Sequence, residues 1–237
     1  MAPYYETKLG KLYHGDCLEI MPELEPVDLV LTDPPYGIKM DKGFDGFGGF
    51  GGFGKPIARK KYLNDNWDSV RPSKKVFDLI LTISKTALIF GGNFFADILP
   101  LSTHWIVWDK KNTMPTFGDA ELVWTNSKRK SVKIIECEYN GLLGKEVTRV
   151  HPTQKPMKLF IELIEKYSTE VDIIMDCFLG SGTTAVACER LKRKWIGIEI
   201  EEKYCEIAAK RIEENLTVME RIERSEKGIT KKTGLLF

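Results

Sequence analysis

One stretch in the last third of the chain restricts the possible folds more than any other. An apolar run at 173–175 leads into a glycine turn, and residues 184–191 then follow a helical pattern. Gly180 and Gly182 allow backbone conformations and a close approach that a Cβ atom would block. A buried strand that opens a helix through such a turn is typical of α/β proteins that bind a nucleotide cofactor. An ordinary tight turn between a strand and a helix would show the same glycines, so the context must decide.

The rest of the chain alternates between strand-like and helical patterns. Helical spacing predicts a helix with Pro156 in its first turn, a second over 184–191 and a third over 204–216. Strands that alternate with helices indicate a parallel sheet with helices on its faces. Apolar runs bounded by Gly, Pro, Asp or Asn predict the strands at 27–32, 87–90, 105–108, 132–135, 173–175 and 195–198.

The residues around the glycine turn indicate which cofactor it would hold. Asp176 ends the strand just before the turn, where its carboxylate would repel a pyrophosphate but could attract, directly or through water, the ammonium of an amino-acid-bearing cofactor. S-adenosylmethionine has such an ammonium and NAD has none. Ala185 allows tight helix-to-strand packing, and Glu199 is placed to accept ribose hydroxyls. An NAD-dependent oxidoreductase would also fit these glycines, Ala185 and Glu199, but it leaves the next motif unexplained.

A second motif, Asp33-Pro34-Pro35-Tyr36, follows the predicted strand at 27–32. The two prolines lack N–H donors and hold a stiff, acceptor-rich loop outside the carboxyl end of a parallel strand, where ligands of open α/β sheets bind. An exocyclic amine on a planar base could donate to the Asp33 carboxylate and the Pro34 carbonyl while the Tyr36 ring stacks on the base. The plainer alternative is a strand-ending turn, since Asp-Pro commonly starts one.

Together the two motifs resemble those of the S-adenosylmethionine-dependent DNA amino-methyltransferases. In the beta group of that family D-P-P-Y precedes the F-L-G-S-G-T-T cofactor motif, as it does here, and the Rossmann-like sheet is circularly permuted. Residues 151–156 resemble the group's H-P-T-x-K-P motif, and residues 15–18 resemble its G-D-C-L element. The resemblance covers nearly the whole chain, with a departure at Cys177, where the family usually has proline.

The resemblance implies an α/β, circularly permuted Rossmann-like methyltransferase fold with a mixed, mostly parallel sheet and helices on both faces. It also implies S-adenosylmethionine as cofactor, S-adenosylhomocysteine as product, and no metal. The residues that it assigns to catalysis are Asp33, Pro34, Pro35 and Tyr36. Those that it assigns to cofactor binding are Asp16, Thr153, Lys155, Asp176, Phe178, Gly180, Ser181, Gly182, Thr183 and Glu199.

The implied activity is methylation of the exocyclic amine of adenine in DNA, because D-P-P-Y accompanies adenine and S-P-P-Y accompanies cytosine amines in the family. The base would be flipped out of the duplex and methylated by direct in-line transfer. None of the five cysteines follows a proline, the usual setting of the nucleophile in carbon-methylating enzymes. A cytosine-N4 DNA methyltransferase, an RNA or protein methyltransferase, and a DNA-binding module without catalysis remain as alternatives.

The chain is predicted to form a single catalytic domain over residues 1–237. The glycine- and phenylalanine-rich stretch at 39–66 is predicted to be a long mobile loop, and a small target-recognition region is expected at about 110–150. Both segments carry basic runs suited to DNA phosphates, although such runs are often plain solvated loops. The runs are Lys55, Arg59, Lys60 and Lys61, and Lys128, Arg129, Lys130 and Lys133.

The composition favours a folded protein of the reducing cytoplasm. Hydrophobic residues make up 43%, and 35 basic residues balance 34 acidic ones, which excludes a disordered polyelectrolyte. The odd number of scattered cysteines argues against a disulfide framework or a zinc site. No apolar stretch is long enough to cross a membrane, so none is expected as a partner. Double-stranded DNA is the expected partner, and a cognate restriction endonuclease and a second copy of the chain are further candidates.

Overall fold

The computed structural model describes residues 1–38, 68–111, 118–138 and 155–216. The predicted loop at 39–66, the end of the expected recognition region and Thr153 lie outside these ranges. The strands are β1 (Tyr5–Glu6), β2 (Gly10–His14), β3 (Val27–Thr32), β4 (Ser84–Phe90), β5 (Trp105–Asp109), β6 (Ala120–Thr125), β7 (Val132–Glu136), β8 (Ile173–Asp176) and β9 (Lys194–Glu199). The helices are α1 (Cys17–Ile20), α2 (Lys74–Ile83), α3 (Met157–Tyr167), α4 (Thr183–Leu191) and α5 (Glu202–Asn215), with short 3₁₀ segments at Met21–Glu23 and Gly92–Phe95.

The described strands form one sheet in the order β1-β2-β9-β8-β3-β4-β6-β5-β7. Antiparallel pairing occurs where β1 meets β2 and where β6 meets β4 and β5. The other neighbours pair in parallel. The predicted mixed, mostly parallel sheet is therefore confirmed.

Helices cover both faces of the sheet, as β3 illustrates. Leu29 and Leu31 pack into the core cluster that holds α3, α4 and α5, whereas Val30 packs into the cluster that holds α1 and α2. Because successive side chains of a strand point to opposite faces, a strand covered on both sides must be apolar at nearly every position. The continuous apolar run at 27–32 has this composition. None of the described helices is long and apolar enough to span a membrane.

The sheet topology places the two sequence motifs side by side. β8 pairs with β3, with Leu29 opposite Ile174 and Val30 opposite Met175. From this pair the sheet continues through β9 on one side and through β4 on the other. The carboxyl ends of β8 and β3 thus meet at a switch point, which is where open α/β sheets bind ligands.

Three strands and two helices, the four-residue α1 and the longer α2, were not predicted from the sequence. β1 has only two residues, exposed polar residues interrupt β2, and the first half of β6 is partly exposed and carries Glu121, so none of them shows a continuous apolar run. α2 buries one face through Val76, Phe77, Ile80 and Ile83. The helix expected to hold Pro156 in its first turn begins one residue later, at Met157, and Pro156 is its N-cap.

The described basic run lies at the amino ends of the parallel strands, and the switch point lies at their carboxyl ends. Lys128, Arg129 and Lys130 are in the exposed turn between β6 and β7, and Lys133 is exposed near the start of β7. The Asn126 side chain bonds to the backbone of Lys85 and Ala87 near the start of β4, so this turn lies at the amino ends of the parallel strands. The expected recognition region is also more regular than predicted, because residues 120–136 supply two strands of the main sheet. The structure therefore does not bring this run to the site.

Candidate active site

The glycine turn between β8 and α4 is held from behind by α5. Gly182 has a φ of +85°, and a Cβ atom at this position would lie 2.9 Å from the Cβ of Ala208. Only glycine combines this left-handed conformation with so close an approach. From the same helix, the Arg211 guanidinium donates hydrogen bonds to the carbonyl of Ser181 and, at 2.8 Å, to its hydroxyl. Gly182 therefore allows the turn to pack closely against α5.

Asp176 lies at the end of β8 and accepts hydrogen bonds from three protein donors. Its Oδ1 accepts from the Thr32 hydroxyl at 2.7 Å and from the Phe178 N–H at 3.1 Å, and its Oδ2 accepts from the Thr184 hydroxyl. A carboxylate has about four acceptor sites, so a ligand N–H could still bind at Oδ2. Burial raises the pKa of Asp176 to about 6, although the two hydroxyls oppose the rise. Asp176 is thus mainly a carboxylate at neutral pH.

Glu199 ends β9 on the other side of the turn. Its carboxylate accepts the N–H of Gly180 at 2.7 Å and the N–H of Glu201 at 2.9 Å. Burial raises the pKa of Glu199 to about 7, and these two backbone bonds oppose the rise. The charge of Glu199 therefore changes near neutral pH.

The Asp33 to Tyr36 motif forms a loop at the carboxyl end of β3. The Tyr36 hydroxyl donates to Asp33 Oδ1 at 2.6 Å, which fixes both side chains. The Tyr36 ring stacks on Phe94, with ring centroids 4.8 Å apart and an interplanar angle of 17°. One ring face is therefore covered within the protein, and a base could stack only on the other.

Gly91, immediately after β4, supports the Tyr36 ring. It has a φ of +64°, and a Cβ atom there would lie 2.2 Å from Cε1 of Tyr36. Real Cβ atoms do not approach ring atoms so closely. Gly91 therefore provides the space in which the ring lies.

Lys155 contacts the Asp33 to Tyr36 loop directly. Its ammonium nitrogen lies 2.6 Å from Asp33 Oδ2, 3.4 Å from the Tyr36 hydroxyl and 3.4 Å from Glu121 Oε2. Only 8% of the Lys155 side chain is exposed. The sequence resemblance assigned Lys155 to the cofactor, whereas its closest contact in the structure is with Asp33.

A single cavity of about 560 Å³ joins the two motifs. Gly182 faces Ala208 instead of the cavity, and Thr153 lies in a part of the chain that the structure does not describe. The other predicted site residues all line the cavity: Asp16, Asp33, Pro34, Pro35, Tyr36, Lys155, Asp176, Phe178, Gly180, Ser181, Thr183 and Glu199.

The chemistry of the cavity fits S-adenosylmethionine better than a dinucleotide. Asp16, Asp176 and Glu199 offer carboxylates around the glycine turn, which suit an ammonium and ribose hydroxyls and would repel a pyrophosphate. The exposed Ile200 and the half-buried Phe178 add apolar wall. Within the described ranges no group of three or more His, Cys, Asp or Glu side chains could hold a metal ion.

Sequence reasoning missed several residues that shape this site. Gly91 directly follows the apolar run at 87–90, just as the glycine turn directly follows β8. This pattern could have identified Gly91 from the sequence. Glu121 is a single acid in a run otherwise suited to a strand, which is a weaker signal. Nothing in the sequence connects Phe94 or Arg211 with the site, because the tertiary structure alone brings them to it, through ring stacking and hydrogen bonds respectively.

Comparisons with known proteins agree with this geometry. A family model described as a DNA methylase of the N6/N4 type matches residues 107–210. The type II methyltransferase M2.DpnII of Streptococcus pneumoniae is 30% identical over 251 residues, which cover 89% of this chain and 92% of that protein.

Solved structures share the architecture. The crystal structure of an M1.HpyAVI complex with S-adenosylmethionine is 25% identical, with a TM-score of 0.56, over 86% of this chain and 99% of that one. The PvuII DNA methyltransferase, which is cytosine-N4-specific, is 19% identical, with a TM-score of 0.59, over 96% of this chain and 94% of that one. The latter likeness shows a common fold only.

Proposed function

Because this chain belongs to the family of S-adenosylmethionine-dependent DNA amino-methyltransferases, we propose that it methylates the exocyclic amine of adenine in double-stranded DNA. The observation that carries the proposal is the position of Asp33 and Tyr36 in the same cavity as the glycine turn. The choice of adenine rests on the aspartate of the D-P-P-Y motif. The proposal also assigns the cofactor half of the cavity to Asp16, Asp176, Glu199 and the glycine turn, with Thr153 retained as a sequence prediction.

The catalytic loop would act by accepting hydrogen bonds from the target amine. When bound, S-adenosylmethionine supplies an electrophilic methyl group on a sulfonium centre. The Asp33 carboxylate and the Pro34 carbonyl would take the two N–H groups and so direct the nitrogen lone pair at that methyl group. The face of the Tyr36 ring that Phe94 does not cover would hold the flipped base, whose extrusion costs a few kcal/mol.

The chain's own thiols do not suit a covalent mechanism. All five cysteines are free and buried. Burial raises the pKa of Cys17 to about 12 and holds the pKa of Cys177, next to the glycine turn, well above its ordinary value. A protonated, buried thiol is a poor nucleophile, which supports direct transfer to an amine.

The test is methyl transfer from labelled S-adenosylmethionine to unmethylated genomic DNA, followed by nucleoside analysis. We expect N6-methyladenine. N4-methylcytosine would keep the mechanism and reject the choice of base. Transfer to RNA or protein in place of DNA would reject the proposed substrate.

The pKa of Glu199 gives this proposal a pH dependence. Ionised Glu199 accepts ribose hydroxyls and the protonated acid does so poorly, so affinity should fall as the pH falls through about 7. We expect S-adenosylhomocysteine to bind roughly tenfold more weakly one pH unit below that pKa than well above it. Calorimetric titration between pH 5.5 and 8.5 measures the effect.

A pair of variants isolates the contribution of Glu199. The Glu199→Gln protein should lose the change near pH 7 and keep only the change near pH 6 that Asp176 produces. Glu214 is exposed on α5 and does not line the cavity, so Glu214→Gln should behave as the unchanged protein. If Glu199→Gln retains the full pH dependence, Glu199 does not bind the ribose.

The wider biological context is proposed from the same family. The type II designation of the relative from Streptococcus pneumoniae supports a role in modifying sites that a cognate restriction endonuclease would cut. The endonuclease, a homodimer and a cytoplasmic location remain predictions from the sequence.

A further inference from the structure

The ammonium of Lys155 lies between two carboxylates from different strands. One is Asp33, which follows β3, at 2.6 Å, and the other is Glu121 on β6, at 3.4 Å. Glu121 uses its other oxygen, Oε1, in an ion pair with Lys110 at 2.7 Å. Four charges of alternating sign thus run from the catalytic loop to the end of β5.

Asp33 has both of its oxygens engaged within the protein. Oδ1 accepts the Tyr36 hydroxyl, and Oδ2 accepts the Lys155 ammonium. A target amine must also donate to Asp33 if this residue orients it. The amine would share Oδ2 with Lys155, because the Tyr36 hydroxyl is held on Oδ1 by the stacked ring, and a second donor on the same oxygen weakens the bond of that oxygen to the ammonium.

Glu121 offers Lys155 another acceptor. Its Oε2 is buried and accepts no hydrogen bond from any residue in the described part of the chain. Its 3.4 Å separation from the Lys155 nitrogen lies within ion-pair range but is too long for a strong charged hydrogen bond. A buried acceptor without a donor is unfavourable, so a small shift of the ammonium toward Glu121 would satisfy it.

We propose that Lys155 is a positioning residue that holds the amine-binding oxygen of Asp33 and moves to Glu121 when the target amine enters. The inference rests on the proposed amine methylation. Lys155 keeps Asp33 ionised and oriented, and Glu121 accepts the ammonium so that it remains paired throughout. Neither residue needs to touch the methyl group.

The charged groups around Asp33 give this arrangement a measurable signature. Asp33 faces Tyr36, Lys155, Glu121 and Asp176. Burial raises the pKa of Asp33, Lys155 opposes the rise, and Glu121 adds to it. Burial lowers the pKa of Lys155, but Asp33 and Glu121 together hold it above its ordinary value, so Lys155 remains a cation. Loss of Lys155 should therefore raise the pKa of Asp33, and loss of the Glu121 charge should lower it.

The experiment compares pH profiles of kcat for methyl transfer in Lys155→Met and Glu121→Gln. We expect both variants to have a reduced but measurable kcat, while their KM for the cofactor stays unchanged. The acidic limb should move up by about one pH unit in Lys155→Met and move down in Glu121→Gln. The matched controls are Lys85→Met, near the amino end of β4, and Glu136→Gln, exposed on β7. Both should keep the profile of the unchanged protein.

Two results would overturn the inference. One is an acidic limb that stays in place, or moves in the same direction, in both variants. The other is a raised KM for the cofactor with kcat unchanged, as a cofactor-binding role of Lys155 would produce. Both variants should retain cooperative unfolding, which shows that lost turnover does not reflect lost folding.

A separate measurement keeps this inference distinct from the proposed function. If the unchanged protein transfers no methyl group to DNA, the proposed function fails. The titration of Asp33 can still be followed by NMR of carboxyl-labelled aspartate, assigned with Asp33→Asn. Opposite displacements in the two variants would uphold the pairing of Lys155 with both acids, and coincident titrations would overturn it.

Discussion

Replacing Asp33 with alanine is expected to reduce kcat for methyl transfer by about 1,000-fold or more. In the proposed mechanism the Asp33 carboxylate is the charged acceptor, and without it the target amine has no anion to orient its lone pair. Binding of S-adenosylhomocysteine should persist, since Asp176, Glu199 and the glycine turn lie on the other half of the cavity. Single-turnover transfer to DNA and calorimetric titration of the cofactor product measure the two quantities separately.

Asp78→Ala is the matched control for this variant. Asp78 is an exposed aspartate on α2, paired only with Lys74 among the described residues, and surface pairs of this kind contribute little. Its transfer rate should equal that of the unchanged protein. In Asp33→Ala, Lys155 retains Glu121 as a partner, so the fold should survive. Transfer at more than a tenth of the original rate would show that Asp33 does not orient the amine.

Replacing Gly91 with alanine is expected to reduce kcat by about 100-fold or more with only a modest loss of stability. The added Cβ atom would lie 2.2 Å from Cε1 of Tyr36, so the ring must leave its position. The displaced ring would break the 2.6 Å hydrogen bond to Asp33 and the stack on Phe94. The left-handed conformation at Gly91 adds about 1–2 kcal/mol of strain for alanine.

Gly118→Ala separates the effect at Tyr36 from a general effect of removing glycine. Among the described residues, a Cβ atom at Gly118 would meet nothing closer than the Ala120 carbonyl at 3.8 Å, and this control should keep full turnover. Thermal unfolding of both variants reports the loss of stability, and turnover reports the displacement of Tyr36. Full turnover in Gly91→Ala would mean that the reaction does not depend on the ring position seen in the structure.

The parts of the fold that the sequence predicted are those with strong local signals. β3, β4, β8 and β9 were recognised because buried parallel strands are apolar at nearly every position. β5 and β7 were recognised from short apolar runs, although β7 is mostly exposed. β6 was missed because its first half carries Glu121 and faces partly to solvent. β1 was missed because it has only two residues, and β2 was missed because the exposed Lys11 and His14 interrupt its apolar pattern.

The predicted site shows the same division. The glycine turn and the Asp33 loop were identified because their residue types dictate the local backbone and the available acceptors. The basic run at Lys128 to Lys130 was expected near DNA, but the strand directions put it at the amino ends of the parallel strands, whereas the cavity lies at their carboxyl ends. The position of a charge in the sequence does not show at which end of the strands it lies, because an antiparallel strand such as β6 runs in the opposite direction to its neighbour β4.

The sequence by itself determined the chemistry of this protein: a cofactor turn with a preceding carboxylate, and an acceptor-rich loop ahead of it in the chain. Only the tertiary structure decided which charges meet. Lys155 and Asp33 are 122 positions apart, and they contact each other because β8 lies beside β3 and the helix after Lys155 packs across them. A motif fixes dihedral angles and functional groups over a few residues, whereas pairing between distant side chains depends on strand order and register, which the whole core sets.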